Sequence, residues 1–179
     1  GASVKGDISG FTDIASSSWY STSLAIAYQM GVIKGSDGKM NPDASITREQ
    51  AFVILARALK LGSASTVNKT FPDDGEISDW ARGEVYALIN AGYVSGSNGY
   101  LNPGDSITRA EFAQLFYNIC KQYINTSGVN TTIYSGNLIV NTPGVTLKDV
   151  NITGDLIIGE GVGDGEVILD NVKIAGRLI

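Results

Sequence analysis

Residues 31–48 read GVIKGSDGKMNPDASITR and residues 92–109 read GYVSGSNGYLNPGDSITR. Ten of the eighteen positions are identical at a constant offset of 61, which also links Trp19 to Trp80. One residue out of step, Phe11-Thr-Asp13 matches Phe71-Pro-Asp73. Such agreement over a fixed period marks a duplicated structural unit.

Each unit carries its own punctuation. A short Phe-x-Asp loop leads into an apolar stretch, Trp19 to Ile33 or Trp80 to Val94, that predicts a first helix. A Gly-rich loop ending in Asn41-Pro42 or Asn102-Pro103 follows, and the proline blocks further helix. A second helix opens at Ile-Thr-Arg. Thr47-x-x-Gln50 and Thr108-x-x-Glu111 fit the capping box, in which a hydroxyl takes an amide one turn on and the acid or amide side chain returns the bond. In the second helices Ala51, Phe52, Leu55, Ala58 and Leu59, and likewise Phe112, Ala113, Phe116, Ile119 and Cys120, fall on one expected buried face. Cys120 stands where the first unit has Leu59, so it reads as a small core hydrophobe rather than a nucleophile.

From about Asn125 the texture changes. Val145 to Ile157 aligns with Val167 to Ile179 at an offset of 22, and Gly136-Asn-Leu138 matches the Gly154 step 18 residues earlier. Short alternating apolar runs between Gly, Asn and Asp predict strands and turns. A 22-residue period suits one rung of a parallel β-helix with stacked inward Val, Leu and Ile. A small meander or sandwich is the alternative. Because Ile179 falls in mid-rung and solenoids need several stacked repeats, the expectation is that the natural protein continues into a longer β-helix.

Composition narrows the function. The sequence has no His, which removes the commonest general base and zinc ligand, and with them any Ser/His/Asp or Cys/His catalytic set. One cysteine excludes an internal disulfide. Net charge is −5 with scattered cations, which argues against a nucleic-acid partner. No run approaches the roughly 20 apolar residues that span a bilayer. Residues 1–10 lack the apolar region of a signal peptide, which suggests a mature or excised fragment. The acidic turns Glu160 to Glu166 and Asp73-Asp74-Gly75-Glu76 lack alternating calcium-ligand spacing, and Gly35-x-x-Gly38 is too short for a dinucleotide loop. No metal or cofactor is expected, and no catalysis.

The pattern Phe-x-Asp, Trp, Gly-rich loop, Pro, then Ile-Thr-Arg-Ala-Glu (107–111) or Ile-Thr-Arg-Glu-Gln (46–50) resembles the S-layer homology family. The expected organisation is α + β and multidomain: module 1 over 1–61, module 2 over 62–124, and the first rungs of a parallel β-helix over 125–179. The family's modules typically come in threes; two are recognisable here. The resemblance implies a secreted protein held at the bacterial cell wall through secondary cell-wall polysaccharide, often pyruvylated, or peptidoglycan-linked glycan. It implies carbohydrate contacts from Arg48, Arg109, Asp13, Asp73, Gly35, Gly96, Trp19 and Trp80. An Arg at a helix mouth adds a guanidinium fork to free amides and the positive dipole end. The same arginines would equally tie loop to helix by pairing with Asp13 or Asp73. Trp19 and Trp80 would serve either as core anchors or as sugar platforms, and the two aspartates either as ligands or as braces. Two further readings remain: the anchor of a polysaccharide-degrading β-helix enzyme, and a self-assembling lattice component.

Overall fold

The computed structural model describes residues 6–179, so the head of the first module, residues 1–5, lies outside the described residues. The chain is an α + β protein of two compact units, one running to Phe112 and one over Ala113–Ile179.

The first unit is built on helices α1 (Ser21–Gln29), α2 (Arg48–Ala58) and α3 (Asp79–Asn90), and holds the start of α4 (Arg109–Ile119). α1 and α3 are shorter than the apolar runs predicted, and Trp19 precedes its helix. Both stop for one reason. Gly31 (φ 70°) and Gly92 (φ 76°) take the left-handed conformation, and the amides of Gly31 and Val32, or Gly92 and Tyr93, fold back onto carbonyls of the last turn. The apolar residues beyond each glycine belong to the next loop.

Those loops are near copies. Asp37-Gly38 and Asn98-Gly99 have positive φ at both central positions, and Ser36 and Lys39, or Ser97 and Tyr100, exchange both backbone bonds. This is the mirror-image turn that joins two tightly paired strands. Both capping boxes form: the Gln50 amide donates to Thr47 Oγ1 at 3.3 Å and the Glu111 amide to Thr108 Oγ1 at 3.2 Å, each side chain returning the bond at 2.9 Å.

α2 packs on α3 and buries Ala51, Phe52, Val53 and Ala56, with Ala81, Val85, Leu88 and Ile89 buried from α3. Of the face expected for α2, Ala51 and Phe52 are inside, Leu55 and Leu59 are half-buried and Ala58 is exposed. α4 departs further. It buries Leu115 and Ile119, while Phe112, Ala113 and Phe116 are exposed, because no helix among the described residues covers them as α3 covers α2. Cys120 is half-buried, and burial pushes its thiol upward, away from the thiolate a nucleophile needs.

The second unit carries eight short strands: β1 (Gln122–Ile124), β2 (Gly128–Asn130), β3 (Leu138–Val140), β4 (Val145–Lys148), β5 (Asn151–Ile152), β6 (Leu156–Ile158), β7 (Val167–Asp170) and β8 (Lys173–Ile174). They form three parallel sheets, β1-β3-β6, β2-β4-β7 and β5-β8. Leu138 pairs with Leu156, 18 residues on, while Val145 pairs with Val167 and Ile152 with Ile174, 22 residues on. The four additional residues lie in the β6–β7 connection, which holds a short 3-10 turn at Glu160–Val162. Leu138, Val140, Val145, Leu147, Ile152 and Leu156 are wholly buried between the sheets.

Polar side chains step through this unit at the same period. Asn137 Oδ1 accepts the Asp155 amide (2.8 Å), Asn137 Nδ2 donates to the Ile119 carbonyl (3.3 Å), and Asp155 Oδ1 accepts the Arg177 amide (2.7 Å). Asp155 is largely buried, which works against its charge, but hydrogen bonds from Arg177 outweigh this and hold its carboxyl below the usual value. On another edge Asn171 Nδ2 donates to Asp149 Oδ1 (2.7 Å), joining two turn residues that both have positive φ.

Candidate functional site

In each repeat the Phe-x-Asp loop and the Asn-Pro loop form one structure. Asp13 accepts the amides of Met40 (3.0 Å) and Asn41 (2.6 Å); Asp73 accepts those of Leu101 (2.9 Å) and Asn102 (2.6 Å). The Met40 amide is the main reason the Asp13 carboxyl sits below its ordinary value. Both aspartates therefore brace the loop that leads into the second helix. Gly35 and Gly96 permit this closure: a Cβ at either would lie 2.6 or 2.7 Å from Phe11 or Phe71 Cε1, and both have positive φ. Each Phe-x-Asp motif thus seats its ring on a bare glycine and its carboxylate on the loop beyond.

The two arginines, equivalent in sequence, stand in different surroundings. Arg48 is only 5% exposed. Its Nε donates to the Leu101 carbonyl at 2.6 Å, its guanidinium pairs with Glu111 at 2.7 Å, and its carbon centre lies 5.5 Å from the Phe52 ring centroid. Its acidic partner is Glu111 of the second repeat, not Asp13 or Asp73. Bonds from Thr108, with the Arg48 charge beside them, hold the Glu111 carboxyl below its usual value. Arg109 is exposed and makes no ion pair or hydrogen bond through its side chain among the described residues.

Glu49, beside Arg48, has a role that the sequence pattern did not expose. It is buried and accepts from Ser78 through both the backbone amide (3.0 Å) and the hydroxyl (2.8 Å), capping α3 from outside that helix. The only sequence signal was a difference between repeats, Glu49 against Ala110.

The tryptophans are not in the core. Trp19 is 91% exposed and Trp80 is 52% exposed. Trp19 meets Tyr20 edge-to-face with centroids 5.4 Å apart, which gives its exposed ring a fixed backing. Trp19 lies in the turn just before α1, whereas Trp80 lies in the first turn of α3. The structure therefore buries Arg48 and Asp73, leaves Asp13 and Gly96 half-buried, and exposes Gly35, Trp19, Trp80 and Arg109. Among the described residues no group of three or more acidic or Cys side chains is gathered as a metal site, and no helix is long and apolar enough to cross a membrane.

Residues 10–52 and 70–113 match the S-layer homology domain. Similar proteins include the amylopullulanase of Thermoanaerobacterium thermosulfurigenes, 35% identical over 63% of this chain and 6% of its own length. The exoglucanase XynX of Acetivibrio thermocellus is 32% identical over 64% of this chain and 11% of its own. The surface-layer 125 kDa protein of Lysinibacillus sphaericus is 31% identical over 63% of this chain and 10% of its own. The chain therefore spans a small fraction of the relatives it matches.

Proposed function

We propose that this chain, whose segments 10–52 and 70–113 belong to the S-layer homology family, anchors a bacterial surface protein by holding an anionic cell-wall polysaccharide. Location at the cell wall or surface follows from the family and from its S-layer relatives. The polysaccharide, its acidic substituent and the absence of catalysis are our reading. That reading is supported by a sequence without His and by relatives whose names span lattice proteins and enzymes alike, matched over one limited region. The part common to such different proteins is an attachment device.

The observation that carries the proposal is the exposure of Trp19 and Trp80 at the same place in both repeats. A large apolar ring left in water at one position is unremarkable; the same residue left out at equivalent sequence positions of both repeats points to a contact surface. A flat indole offers the C–H face of a sugar ring extended apolar contact at little entropic cost. Asp13, Asp73, Gly35 and Gly96 fix the loop beside each helix, and Arg48 ties the repeats together rather than meeting the glycan.

We read the second unit as rungs of a parallel β-helix that the anchor displays. Three parallel sheets, wholly buried Leu, Val and Ile in register, and polar steps at 18 and 22 residues support this. The alternative of an anchor for a polysaccharide-degrading enzyme differs only in what is displayed; it is favoured by the names of two relatives.

The test is co-sedimentation with purified sacculi. Retention on native sacculi, lost when the non-peptidoglycan polymer is stripped, is expected. Equal retention on both would overturn the choice of ligand.

A further inference from the structure

We infer that Lys69 takes a carboxylate of the polysaccharide in the second repeat, and that Asn90 positions it through the segment joining the repeats. The inference rests on the proposed function and adds to it a binding residue outside the repeated motifs.

Residues 62–70, between the repeats, are dominated by small and polar residues, as a loose linker would be. Instead α3 holds them at two places. The Ala64 amide donates to the Gly83 carbonyl at 3.0 Å, and Ser63 fills the space that a Cβ on Gly83 would need. Two turns further along α3, the Asn90 side chain pairs with the segment as a neighbouring strand would. Its Oδ1 accepts the Asn68 amide at 2.8 Å and its Nδ2 donates to the Thr66 carbonyl at 2.9 Å. Asn68 Nδ2 adds a longer bond, 3.4 Å, to the Asn90 carbonyl. The residue immediately before Lys69 is thus tied to α3 at both its backbone and its side chain.

The Lys69 ammonium lies 4.6 Å from the Phe71 ring centroid and donates to the Ser95 carbonyl at 3.3 Å. Ser95 adjoins Gly96, the bare glycine on which Phe71 sits. An ammonium has three protons to donate, yet Lys69 is exposed and joins no ion pair among the described residues. A cation steadied by a ring and a carbonyl but given no carboxylate is ordered before any anion arrives, which removes that cost from binding.

The first repeat is built differently. Its ring, Phe11, is met edge-to-face by Tyr28 with centroids 5.3 Å apart, and Ser9 stands where the second repeat has Lys69. Its lysine is Lys34, at the position of Ser95; that side chain is exposed and makes no hydrogen bond or ion pair among the described residues. A free lysine must be ordered by the ligand itself, so the second repeat is the stronger holder of negative charge.

The experiment is co-sedimentation of the full 179-residue chain and its variants with native and polymer-stripped sacculi over a range of salt. Lys69→Met should weaken retention on native sacculi about tenfold, with a shallower dependence on salt and an unchanged melting temperature. Lys69→Arg, which keeps the charge, and Lys34→Met should each stay within about threefold of wild type. Asn90→Ala should weaken retention in the wild type and have no further effect in Lys69→Met, the signature of action through Lys69. Polymer-dependent retention that is the same in Lys69→Met as in wild type overturns this inference alone, and so does an equal loss in Lys34→Met. An Asn90→Ala effect that persists in Lys69→Met overturns the positioning role. Wild type that ignores native sacculi, or binds stripped sacculi equally well, overturns the underlying reading and this inference with it.

Discussion

Arg48 and Arg109 share a motif and a helix position, yet their expected contributions differ. Removing the buried Arg48 side chain leaves the Leu101 carbonyl and Glu111 without their charged donor. Arg48→Ala should lower unfolding free energy by about 2–3 kcal/mol, whereas the exposed Arg109→Ala should stay within about 0.5 kcal/mol. Urea denaturation of the two variants makes the comparison, and equal midpoints would contradict the assigned roles. Asp13 and Glu111 predict a dependence on pH. Hydrogen bonds depress both carboxyls in the folded chain, Asp13 through the Met40 amide and Glu111 through Thr108. The stabilisation is therefore fully present above the ordinary carboxylate range near 4 and is lost as pH falls through the lower folded values. The melting temperature should fall between pH 5 and pH 3 (about one unit either side of that range), and less steeply in Asp13→Asn. Sequence reading identified the aspartates and glycines as special because they recur at a fixed spacing, but spacing does not say whether a carboxylate faces a ligand or a backbone amide.

At the scale of elements, local signals were the readable ones. Both capping boxes and both Asn-Pro loops depend on contacts within a few residues, and each appears where its pattern stood. Helix ends were misread because Gly31 and Gly92 sit inside apolar runs, and the positive φ they adopt outweighs the apolar pattern. Gly92→Ala should cost about 1–2 kcal/mol from the left-handed backbone alone, measured by thermal unfolding against the wild type. The Glu49–Ser78 tie and the exposed face of α4 were beyond local reading, since both depend on which helix lies opposite. In the second unit, Gly136-Asn137, Gly154-Asp155 and Gly176-Arg177 were visible as steps, but only the parallel register turns them into a ladder. Leu156→Ala, at a wholly buried site shared by neighbouring strands, should destabilise that unit by about 2–5 kcal/mol. Hydrogen exchange should show the loss of protection confined to residues beyond Ile119.

For the whole molecule, the duplicated unit explains both the scaffold and its surface. Repetition at 61 residues places near-identical loops twice, and both indoles stand exposed outside them. In the proposed reading, the family match accounts for attachment to the wall and the indoles supply the contact. The direct measurement is retention of Trp19→Ala/Trp80→Ala on polymer-bearing sacculi beside the wild type, with melting temperature recorded for both. The account predicts binding weakened at least tenfold at an unchanged melting temperature. Full retention by the double variant would contradict it.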